Sequence, residues 1–270
     1  MNKGKLFIVS GPIGNLDDIT IRALKVLRMV DLIVCEDTRV TSKLLNRYRI
    51  SKRLISYHEG NEKKRRKEIL SYLSSGKNIA LMSDAGTPCI SDPGEKLIDE
   101  CIKEDIEIKT IPGPSSVISS LVISGIKSMP FLFIGFLPKK EKEREKVVEK
   151  YFYLNTTIVF FESPHRLIDT VNLLAKRFPE RKIALIKELT KIHEEVIRGT
   201  LKEVADLLKD KNIKGEWTVV LEGGEREEWE SDFELLLKLK FTKKDILKFL
   251  TNKYRGIRNK VYKRLELKDV

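Results

Sequence analysis

The stretch richest in groups that could do chemistry is Ser83–Gly94, where the carboxylates of Asp84 and Asp92 lie among small residues and prolines. It follows an apolar run, Ile79–Met82, typical of a buried strand, and precedes apolar residues at helical spacing. Loops at the carboxyl ends of strands bind ligands in open α/β sheets, and carboxylates accept hydrogen bonds from hydroxyls and amines. An ordinary turn with a helix-capping aspartate is the alternative. The length of the stretch, with Ile90 as its one large apolar side chain, favours a ligand-binding loop.

Further loops of similar composition follow other predicted strands. They are Gly11–Asn15, Glu36–Arg39, Pro112–Ser116 and Glu162–Arg166. Because the alternation of strands and helices puts all of them at the carboxyl ends of strands, we expect them to face a common cleft.

Several common types of site are excluded by missing motifs. The chain has no Gly-x-x-x-x-Gly-Lys-Ser/Thr, no Gly-x-Gly-x-x-Gly after the first strand and no Gly-x-Ser-x-Gly. These absences disfavour a nucleotide triphosphatase, a Rossmann dehydrogenase and an α/β-hydrolase. The histidines His58, His165 and His193 do not form a spaced ligand set, so no metal is expected. His165 stands at a predicted helix start, where it could cap the helix, contact a phosphate or simply be a surface residue.

Composition indicates a folded protein of the reducing cytoplasm. At 270 residues with 41% apolar content, the chain is long enough for two medium domains, or one large domain with an appendage. No apolar run approaches a membrane span, and the N-terminus runs into a strand without room for a signal peptide. The three cysteines are isolated. The net charge of +12 indicates a polyanionic partner or, equally, a lysine-rich tilt of the whole proteome.

The order of predicted elements indicates an α/β fold. Strands alternate regularly with helices up to about residue 111, which predicts a parallel sheet covered on both faces. A second set of strands, at 131–136, 157–161, 183–187 and 217–221, has fewer crossover helices and is expected to include antiparallel pairs. Residues 222–232 have the composition of an acidic linker.

Beyond the linker, Lys238–Arg264 is strongly basic and predicts a helical hairpin. Thr242 is expected to cap its first helix, which would bury Ile246, Phe249 and Leu250. We therefore expect domains at 1–114 and 115–225, followed by an extension at 226–270.

The ordered motifs resemble one known family. They are Pro12-Ile13-Gly14-Asn15, Glu36-Asp37-Thr38-Arg39, Ser83–Gly94, Pro112-Gly113-Pro114-Ser115, Gly135-Phe136-Leu137-Pro138, Glu162-Ser163-Pro164-His165-Arg166 and the run from Glu188 to Glu194. In this order they resemble the ribosomal RNA small subunit methyltransferase I family of the tetrapyrrole-methylase superfamily, over the whole chain. Ser10-Gly11 and Glu95 depart from the usual pattern beside two ligand loops.

The resemblance implies a fold and an activity. The fold would be two α/β domains of the tetrapyrrole-methylase type with the ligand cleft between them, plus a small C-terminal helical extension. The activity would be S-adenosylmethionine-dependent 2′-O-methylation of a cytidine in the decoding region of 16S rRNA, in the small ribosomal subunit, by a cytoplasmic homodimer without a metal. A methyltransferase of the same fold acting on a tetrapyrrole or diphthine precursor, and a non-catalytic ribosome-binding protein, are the alternatives.

The resemblance also assigns candidate residues. Those expected against the cofactor are Pro12, Gly14, Asp84, Thr87, Ile90, Ser115, Ser116, Phe161 and Thr218, with Gly215 and Glu216 nearby. A base that takes the proton of the 2′-hydroxyl would help the reaction. The eligible groups are Glu36, Asp37, Glu162, His165, Glu188 and Lys191. Candidates for holding RNA phosphates are Arg39, Arg65, Arg66, Arg166, Lys243 and Lys244. Each of these charged residues could instead belong to a structural ion pair.

Overall fold

The computed structural model describes residues 3–209, 211–224 and 228–266, which divide into two compact units. The first unit comprises the chain up to Pro138 together with Thr157–Glu222, and it contains both sheets. The second comprises Lys139–Thr156 and the chain from Gly223 onward. The domain boundaries expected after residues 114 and 225 stay predictions. No helix within the described ranges is both long enough and apolar enough to cross a membrane.

The first sheet is entirely parallel, as the alternation of strands and helices predicts. Its strand order is β3-β2-β4-β1-β5. The strands are β1 Leu6–Val9, β2 Leu32–Cys35, β3 Arg53–Ser56, β4 Ile79–Met82 and β5 Ile108–Ile111. In β1, β2 and β4 every residue is buried, because helices cover both faces of these central strands. Because all five strands run parallel, their carboxyl ends lie at the same edge of the sheet.

Four helices cover the first sheet and a fifth leads away from it. They are α1 Ile21–Met29, α2 Thr38–Arg47, α3 Glu62–Ser74, α4 Glu95–Lys103 and α5 Ser116–Ile123. Helices α1 and α2 pack on one face, where Leu27 and Leu44 join the buried core. Helices α3 and α4 pack on the opposite face through residues such as Ile69 and Leu97. The prediction of helices on both faces is confirmed.

The second sheet is mixed, as the scarcity of crossover helices predicts. Its strands are β6 Phe131–Phe136, β7 Thr157–Glu162, β8 Lys182–Lys187, β9 Glu195–Thr200 and β10 Trp217–Leu221. Their order is β6-β7-β10-β8-β9, and only the β6–β7 pair among them is parallel. The sequence analysis missed β9, an edge strand in which Ile197 is its buried residue and Arg198 is exposed. The helices of this half are α7 Pro164–Arg177 and α8 Leu201–Leu208.

The second unit is helical. It contains α6 Glu141–Tyr151, α9 Glu228–Lys238, α10 Lys243–Lys253 and α11 Arg258–Glu266. Thr242 caps α10, since its hydroxyl accepts from the backbone N–H of Asp245, and Ile246 and Leu250 are fully buried as predicted. Phe249 is 47% exposed, so its predicted burial is wrong: it lies one position before the buried stripe of the helix.

The predicted acidic linker at 222–232 is also wrong where it overlaps α9. Trp229 and Phe233 are buried and pack edge to face with ring centroids 5.8 Å apart. These aromatic anchors give the acidic segment an apolar stripe, and that stripe makes it a helix rather than a linker. Residues 225–227 of the predicted linker lie outside the described residues.

The buried aromatic residues of the second unit give a stability prediction. Phe233→Ala should lower the free energy of unfolding of these helices by about 3–5 kcal/mol, because Phe233 is 1% exposed and its removal leaves a cavity. Phe249→Ala is the matched control and should cost less than about 1 kcal/mol. Urea unfolding followed by tryptophan fluorescence and circular dichroism measures both. Equal losses in the two variants would contradict this packing.

Candidate functional site

The loop after β4 is tied to the loop after β1 by paired hydrogen bonds. The backbone N–H of Gly11 donates to the carbonyl of Gly86 at 2.8 Å, and the N–H of Gly86 donates to the carbonyl of Pro12 at 3.3 Å. The hydroxyls of Ser10 and Thr87 are 2.9 Å apart. Because β1 and β4 are neighbouring parallel strands, their loops leave the sheet side by side and support each other.

The loop after β4 is also tied to the loop after β2, and here carboxylates accept from backbone N–H groups. The N–H of Asp37 donates to Oδ1 of Asp84 at 3.0 Å. In return, the carboxylate of Glu36 accepts a hydrogen bond from the backbone of Asp84. We call this reciprocal pair the carboxylate clasp. It fixes two acidic side chains at adjacent strand ends.

The rest of the Ser83–Gly94 loop is held in an uncommon backbone conformation. Cys89 and Ser91 both have positive φ, at 69° and 67°, which costs non-glycine residues free energy. Gly94 has φ of 138°, and a Cβ there would lie 2.5 Å from Sγ of Cys89. Only glycine therefore closes the loop onto α4. Such strained backbone persists only where the surrounding structure holds it, and it clusters at ligand sites.

A cavity of about 590 Å³ opens beside this loop, within the first unit. Loops of both sheets form its walls. From the first sheet the lining residues are Ile13, Glu36, Asp84, Ala85, Gly86, Thr87, Ile90, Ser91, Asp92, Ser115, Ser116 and Val117. From the second half they are Phe136, Phe161, Glu162, Ser163, Pro164, Ile186, Leu189, Gly215, Glu216, Trp217 and Thr218. The volume lies within the roughly 300–1,000 Å³ of small-molecule sites.

Most of the predicted cofactor residues line this cavity together. They are Asp84, Thr87, Ile90, Ser115, Ser116, Phe161 and Thr218. Ser115 is also the N-cap of α5, and its hydroxyl accepts from the N–H of Ile118. Residues as far apart in the sequence as Asp84 and Thr218 thus meet at one site, because both sheets present their loops to it.

Carboxylates dominate the electrostatics of the cavity. Burial, followed by the negative charge of Glu36, raises the pKa of Asp92 to about 6. Burial, followed by the charge of Asp84, raises the pKa of Glu36 as well. Acidic groups that repel one another in this way favour a cationic occupant, because a positive charge would relieve both the repulsion and the burial cost.

Glu162 lies at the cavity wall but is completely engaged in internal contacts. Its side chain is fully buried, and Oε1 lies 2.6 Å from Nη2 of Arg166. The same oxygen accepts from the N–H of Ser163 at 2.8 Å, while Oε2 accepts from the hydroxyl of Thr170 at 2.7 Å. Nη1 of Arg166 in turn donates to the carbonyl of Leu137 at 3.0 Å. This pair fastens the end of β7 to the segment after β6, so the geometry favours positioning over proton transfer.

A smaller cavity of about 210 Å³ adjoins the first. Its lining includes the predicted residues Pro12 and Gly14, together with Lys191. Four residues border both cavities: Ile13, Asp84, Ala85 and Glu216. The two cavities therefore meet at a junction that carries the carboxylates of Asp84 and Glu216.

Lys191 is held between two glutamates at this smaller cavity. Its Nζ lies 3.1 Å from Oε1 of Glu188 and 3.0 Å from Oε2 of Glu216. Burial lowers the pKa of Lys191, but the hydrogen bonds to Glu216 and Glu188 outweigh that effect and raise it overall. The N–H of Glu216, and then Lys191, lower the pKa of Glu188. Lys191 therefore stays a protonated donor rather than a base at neutral pH.

The loop after β1 approaches the Lys191 segment too closely for any side chain at Gly14. A Cβ there would lie 2.7 Å from Cγ of Lys191 and 2.8 Å from the carbonyl of Leu189. The neighbouring N–H of Asn15 donates to the hydroxyl of Thr190 at 3.0 Å. Gly14 therefore lets a loop of the first sheet close against a loop of the second.

Three of the eligible bases, Asp37, His165 and Glu188, are missing from the described lining of both cavities. Asp37 uses its carboxylate on Arg39 and on the first turn of α2, and the Arg39 hydrogen bonds lower its pKa to about 2. His165 is exposed in the first turn of α7. The structure therefore does not bring Asp37 or His165 to the cavities, because each serves or borders a helix start instead.

The predicted RNA-contacting residues differ in the exposure of their side chains and in the carboxylates that pair with them. Arg39 is 86% exposed, although it pairs with Asp37. Arg65 and Arg66 pair with Glu68 and Glu100 at 2.6 and 2.8 Å, and the side chain of Arg66 is only 17% exposed.

Lys243 and Lys244 are exposed in the first turn of α10, and the Arg166 guanidinium is used internally as described above. The geometry therefore stands against Arg66 and Arg166 as phosphate contacts, since both are mostly buried beside carboxylates.

Some lining residues were not among the sequence candidates. Phe136 is 57% exposed at the end of β6, with its ring 5.4 Å from that of Phe161. Its motif, Gly135 to Pro138, was noticed but given no role. Asp92 is a possible acceptor by its residue type, but the resemblance of the motifs assigns it no contact. Trp217 gave no signal, because a tryptophan at the start of an apolar strand looks like ordinary core.

The buried Glu162–Arg166 pair gives a prediction that separates positioning from catalysis. Glu162→Gln should lower the free energy of unfolding by about 3–5 kcal/mol, because it leaves a mostly buried guanidinium without its counter-charge. The exposed Glu180→Gln is the matched control and should stay near wild type. Denaturant unfolding gives both values. A Glu162→Gln protein of wild-type stability that has lost activity would instead assign Glu162 to the chemistry.

The carboxylate repulsion at Asp92 gives a pH prediction. The pKa of Asp92 is about 6 in the folded chain against about 3.9 when unfolded, so the folded state keeps a proton that the unfolded state releases. The contribution of Asp92 to stability should therefore fall as pH rises from about 4 to 6, and Asp92→Asn should escape that loss.

Thermal unfolding of the variant and wild type from pH 4 to pH 7.5 measures the effect. The gain in Tm of Asp92→Asn should be small at pH 4 and largest above pH 6. The exposed Asp169→Asn serves as the control and should show no such trend. A gain that is the same at every pH would contradict the assignment.

Comparison with known proteins agrees with the resemblance of the motifs. The family model of Tetrapyrrole (Corrin/Porphyrin) Methylases matches residues 5–205. A ribosomal RNA small subunit methyltransferase I from Thermotoga maritima is 50% identical over 222 residues, which cover 82% of this chain and 100% of that protein. The enzyme of the same name from Bacillus subtilis is 44% identical, covering 83% of this chain and 77% of that one.

Solved structures share the fold at low identity. A diphthine synthase superposes with a TM-score of 0.65 at 14% identity, covering 81% of this chain and 90% of that one. A uroporphyrin-III C-methyl transferase from Thermus thermophilus, complexed with S-adenyl homocysteine, gives 0.58 at 15% identity, covering 80% and 97%. The fold of this chain is thus a known one. The chain belongs to the ribosomal RNA small subunit methyltransferase I family, within the tetrapyrrole methylases.

Proposed function

We propose that this protein transfers a methyl group from S-adenosylmethionine to the 2′-hydroxyl of a cytidine ribose in the decoding region of 16S rRNA. The observation that carries the proposal is the acid-lined cavity between the loops of the two sheets, in a chain 50% identical to a ribosomal RNA small subunit methyltransferase I. The cavity supports the cofactor, and the family supports the acceptor.

The residues of the large cavity fit this cofactor. S-adenosylmethionine carries a sulfonium, an ammonium and two ribose hydroxyls, and it supplies the methyl group to the acceptor oxygen. Asp84 and Asp92 offer carboxylates to its positive and hydroxyl groups, and a positive charge would relieve the burial and repulsion that raise the pKa of Asp92. Phe136 and Phe161 offer ring surface to a planar purine. A phosphate-bearing cofactor would meet like charge in the same place.

We assign the other cofactor contacts to the residues named from the sequence. Thr87, Ser115, Ser116 and Thr218 would supply hydroxyl and backbone partners, and Ile90 an apolar wall. Pro12 and Gly14 would lie on the acceptor side, since they border the smaller cavity. Positioning of two reactants in this way can supply roughly 7–11 kcal/mol of the barrier reduction.

Among the eligible bases, we favour Glu36. It lines the large cavity, and burial raises its pKa toward the working range of a base. Glu162 has both oxygens engaged, and Glu188 with its low pKa holds the protonated Lys191. Glu36 is therefore the candidate whose geometry and basicity both suit taking the proton of a ribose hydroxyl.

Methylation of a tetrapyrrole or a diphthine precursor is the second candidate, because solved structures of such enzymes share the fold. Their identity of about 15% speaks for the fold alone, whereas the ribosomal RNA enzymes are far more similar. A non-catalytic ribosome-binding protein would have no need for strained backbone and repelling carboxylates around a cavity. The net charge of +12 suits a polyanionic acceptor.

We also propose that the protein works in the cytoplasm as a homodimer, with domains at 1–114 and 115–225 and a basic extension at 226–270. These points rest on the family resemblance. Sedimentation at micromolar concentration should give twice the chain mass of 31.2 kDa. A monomer at that concentration would remove the dimer from the proposal without touching the activity.

The decisive experiment for the reaction offers several acceptors to the purified protein. Small ribosomal subunits or 16S rRNA that lack the modification are incubated with labelled S-adenosylmethionine, in parallel with a uroporphyrinogen. Mass spectrometry of the digested RNA should locate one 2′-O-methylcytidine in the decoding region. Label in the tetrapyrrole alone, or in no acceptor, would refute the proposed function.

The role of Asp84 in cofactor binding gives a quantitative prediction. Asp84→Asn keeps an oxygen for the N–H of Asp37 but loses the charge, so the clasp should survive while cofactor affinity falls. We expect S-adenosylhomocysteine to bind about tenfold more weakly, as loss of a charge-assisted hydrogen bond predicts. Calorimetry measures this, with Asp99→Asn on α4 as the control. Wild-type affinity in Asp84→Asn would remove Asp84 from the cofactor site.

A further inference from the structure

Helix α2 carries a basic stripe that the assignments above leave without a role. Arg39, Lys43 and Arg47 recur at every fourth position, which places them on one face of the helix. All of them are exposed, Arg39 and Arg47 with 86% and 60% of their side chains accessible. Only Arg39 was a candidate from the sequence, because Lys43 and Arg47 belong to no motif.

The next face of the same helix lines the smaller cavity. Val40 and Leu44 come directly after two residues of the stripe, and Thr41 comes after Val40. All three border the smaller cavity. Successive helix positions are about 100° apart, so the stripe and the cavity wall occupy adjacent faces of α2. A ligand that enters the cavity over Val40, which is 39% exposed, would pass directly beside the basic side chains.

The smaller cavity has the chemistry of a site for one planar group. Its walls are largely apolar, formed by Leu16, Val40, Leu44 and Met82. At about 210 Å³ it is smaller than typical whole-ligand pockets of roughly 300 Å³ and more. It meets the large cavity at Asp84 and Glu216, so a group seated in it reaches the place where the cavities join.

The charges around the two cavities separate a nucleoside from its phosphates. Phosphates would be repelled by the carboxylates at the junction, but the outer face of α2 offers cations to them. Arg47 pairs with the exposed carboxylate of Asp17 at 3.4 Å, whereas Arg39 pairs with the half-buried carboxylate of Asp37. The exposed Arg47–Asp17 pair contributes little to stability, so a phosphate can replace Asp17 at small cost.

We propose that the smaller cavity receives the acceptor nucleoside of an RNA strand, and that the stripe Arg39, Lys43 and Arg47 holds the phosphates that flank it. The inference rests on the proposed function and adds to it where the acceptor nucleoside binds and which side chains hold its phosphates. Phosphate contacts position a strand without reading its sequence, while the cavity receives the one residue to be modified.

A salt titration tests the stripe. The double variant Lys43→Gln/Arg47→Gln is compared with Lys96→Gln/Lys103→Gln on α4, which removes the same charge from the opposite face of the sheet. Binding of the small ribosomal subunit or its RNA is measured at several salt concentrations. The α2 variant should reduce the slope of log affinity against log salt by about 0.7–0.9 for each lost phosphate contact, and the α4 variant should keep the wild-type slope.

A filling substitution tests the cavity. Val40→Trp should lower methyl transfer to RNA at least about tenfold, because the acceptor ribose would be displaced from its reacting position. S-adenosylhomocysteine should still bind with wild-type affinity by calorimetry, since Val40 does not border the large cavity. Leu207→Trp on the exposed side of α8 is the control for adding a large side chain.

The outcomes separate this inference from the proposed function. Equal salt slopes in the two double variants, or a wild-type transfer rate in Val40→Trp, would overturn the acceptor subsite while the wild-type protein still methylates RNA. A wild-type protein that neither binds nor methylates RNA would overturn both.

Discussion

Carboxylates gathered at one edge of a parallel sheet repel one another, and backbone N–H groups hold them there in this protein. The clasp between the loops after β2 and β4 gives Asp84 a hydrogen bond from Asp37 and gives Glu36 one from Asp84. Because these strands are neighbours, the two loops are side by side wherever the sheet forms. The clasp therefore follows from the pairing of these two strands, and both of its carboxylates border the cavity.

The cations nearest the cavities are used to position the walls. Arg166 is bound to Glu162, and Lys191 lies between Glu188 and Glu216. Both therefore shape loops of the second sheet instead of offering free positive charge to a ligand. The acidic cavity and the basic stripe of α2 are therefore separate. This separation suits a positively charged methyl donor and a negatively charged acceptor that approach from different sides.

Much of the first sheet could be predicted because its strands are short apolar runs that end in small polar loops. The site could be predicted for the same reason, because parallel strands have their carboxyl ends at one edge. Asp84, Ser115 and Phe161 all line the large cavity. The predictions that were wrong include some that depend on contacts between residues far apart in the sequence. No local signal shows that Arg66 pairs with Glu100, whereas the helical spacing of Trp229, Phe233 and Leu236 is present in the sequence but is obscured by the acidic residues around it. The edge strand β9 was missed because one buried residue gives no clear alternation.

The central claim is that the acid-lined cavity between the two sheets holds the methyl donor. The most direct measurement is a crystal structure of the protein grown with S-adenosylhomocysteine. The account predicts electron density for the whole ligand in the large cavity, with its amino or ribose groups on Asp84 or Asp92 and its purine beside Phe161. Ligand density elsewhere on the protein, with this cavity holding only water, would contradict it.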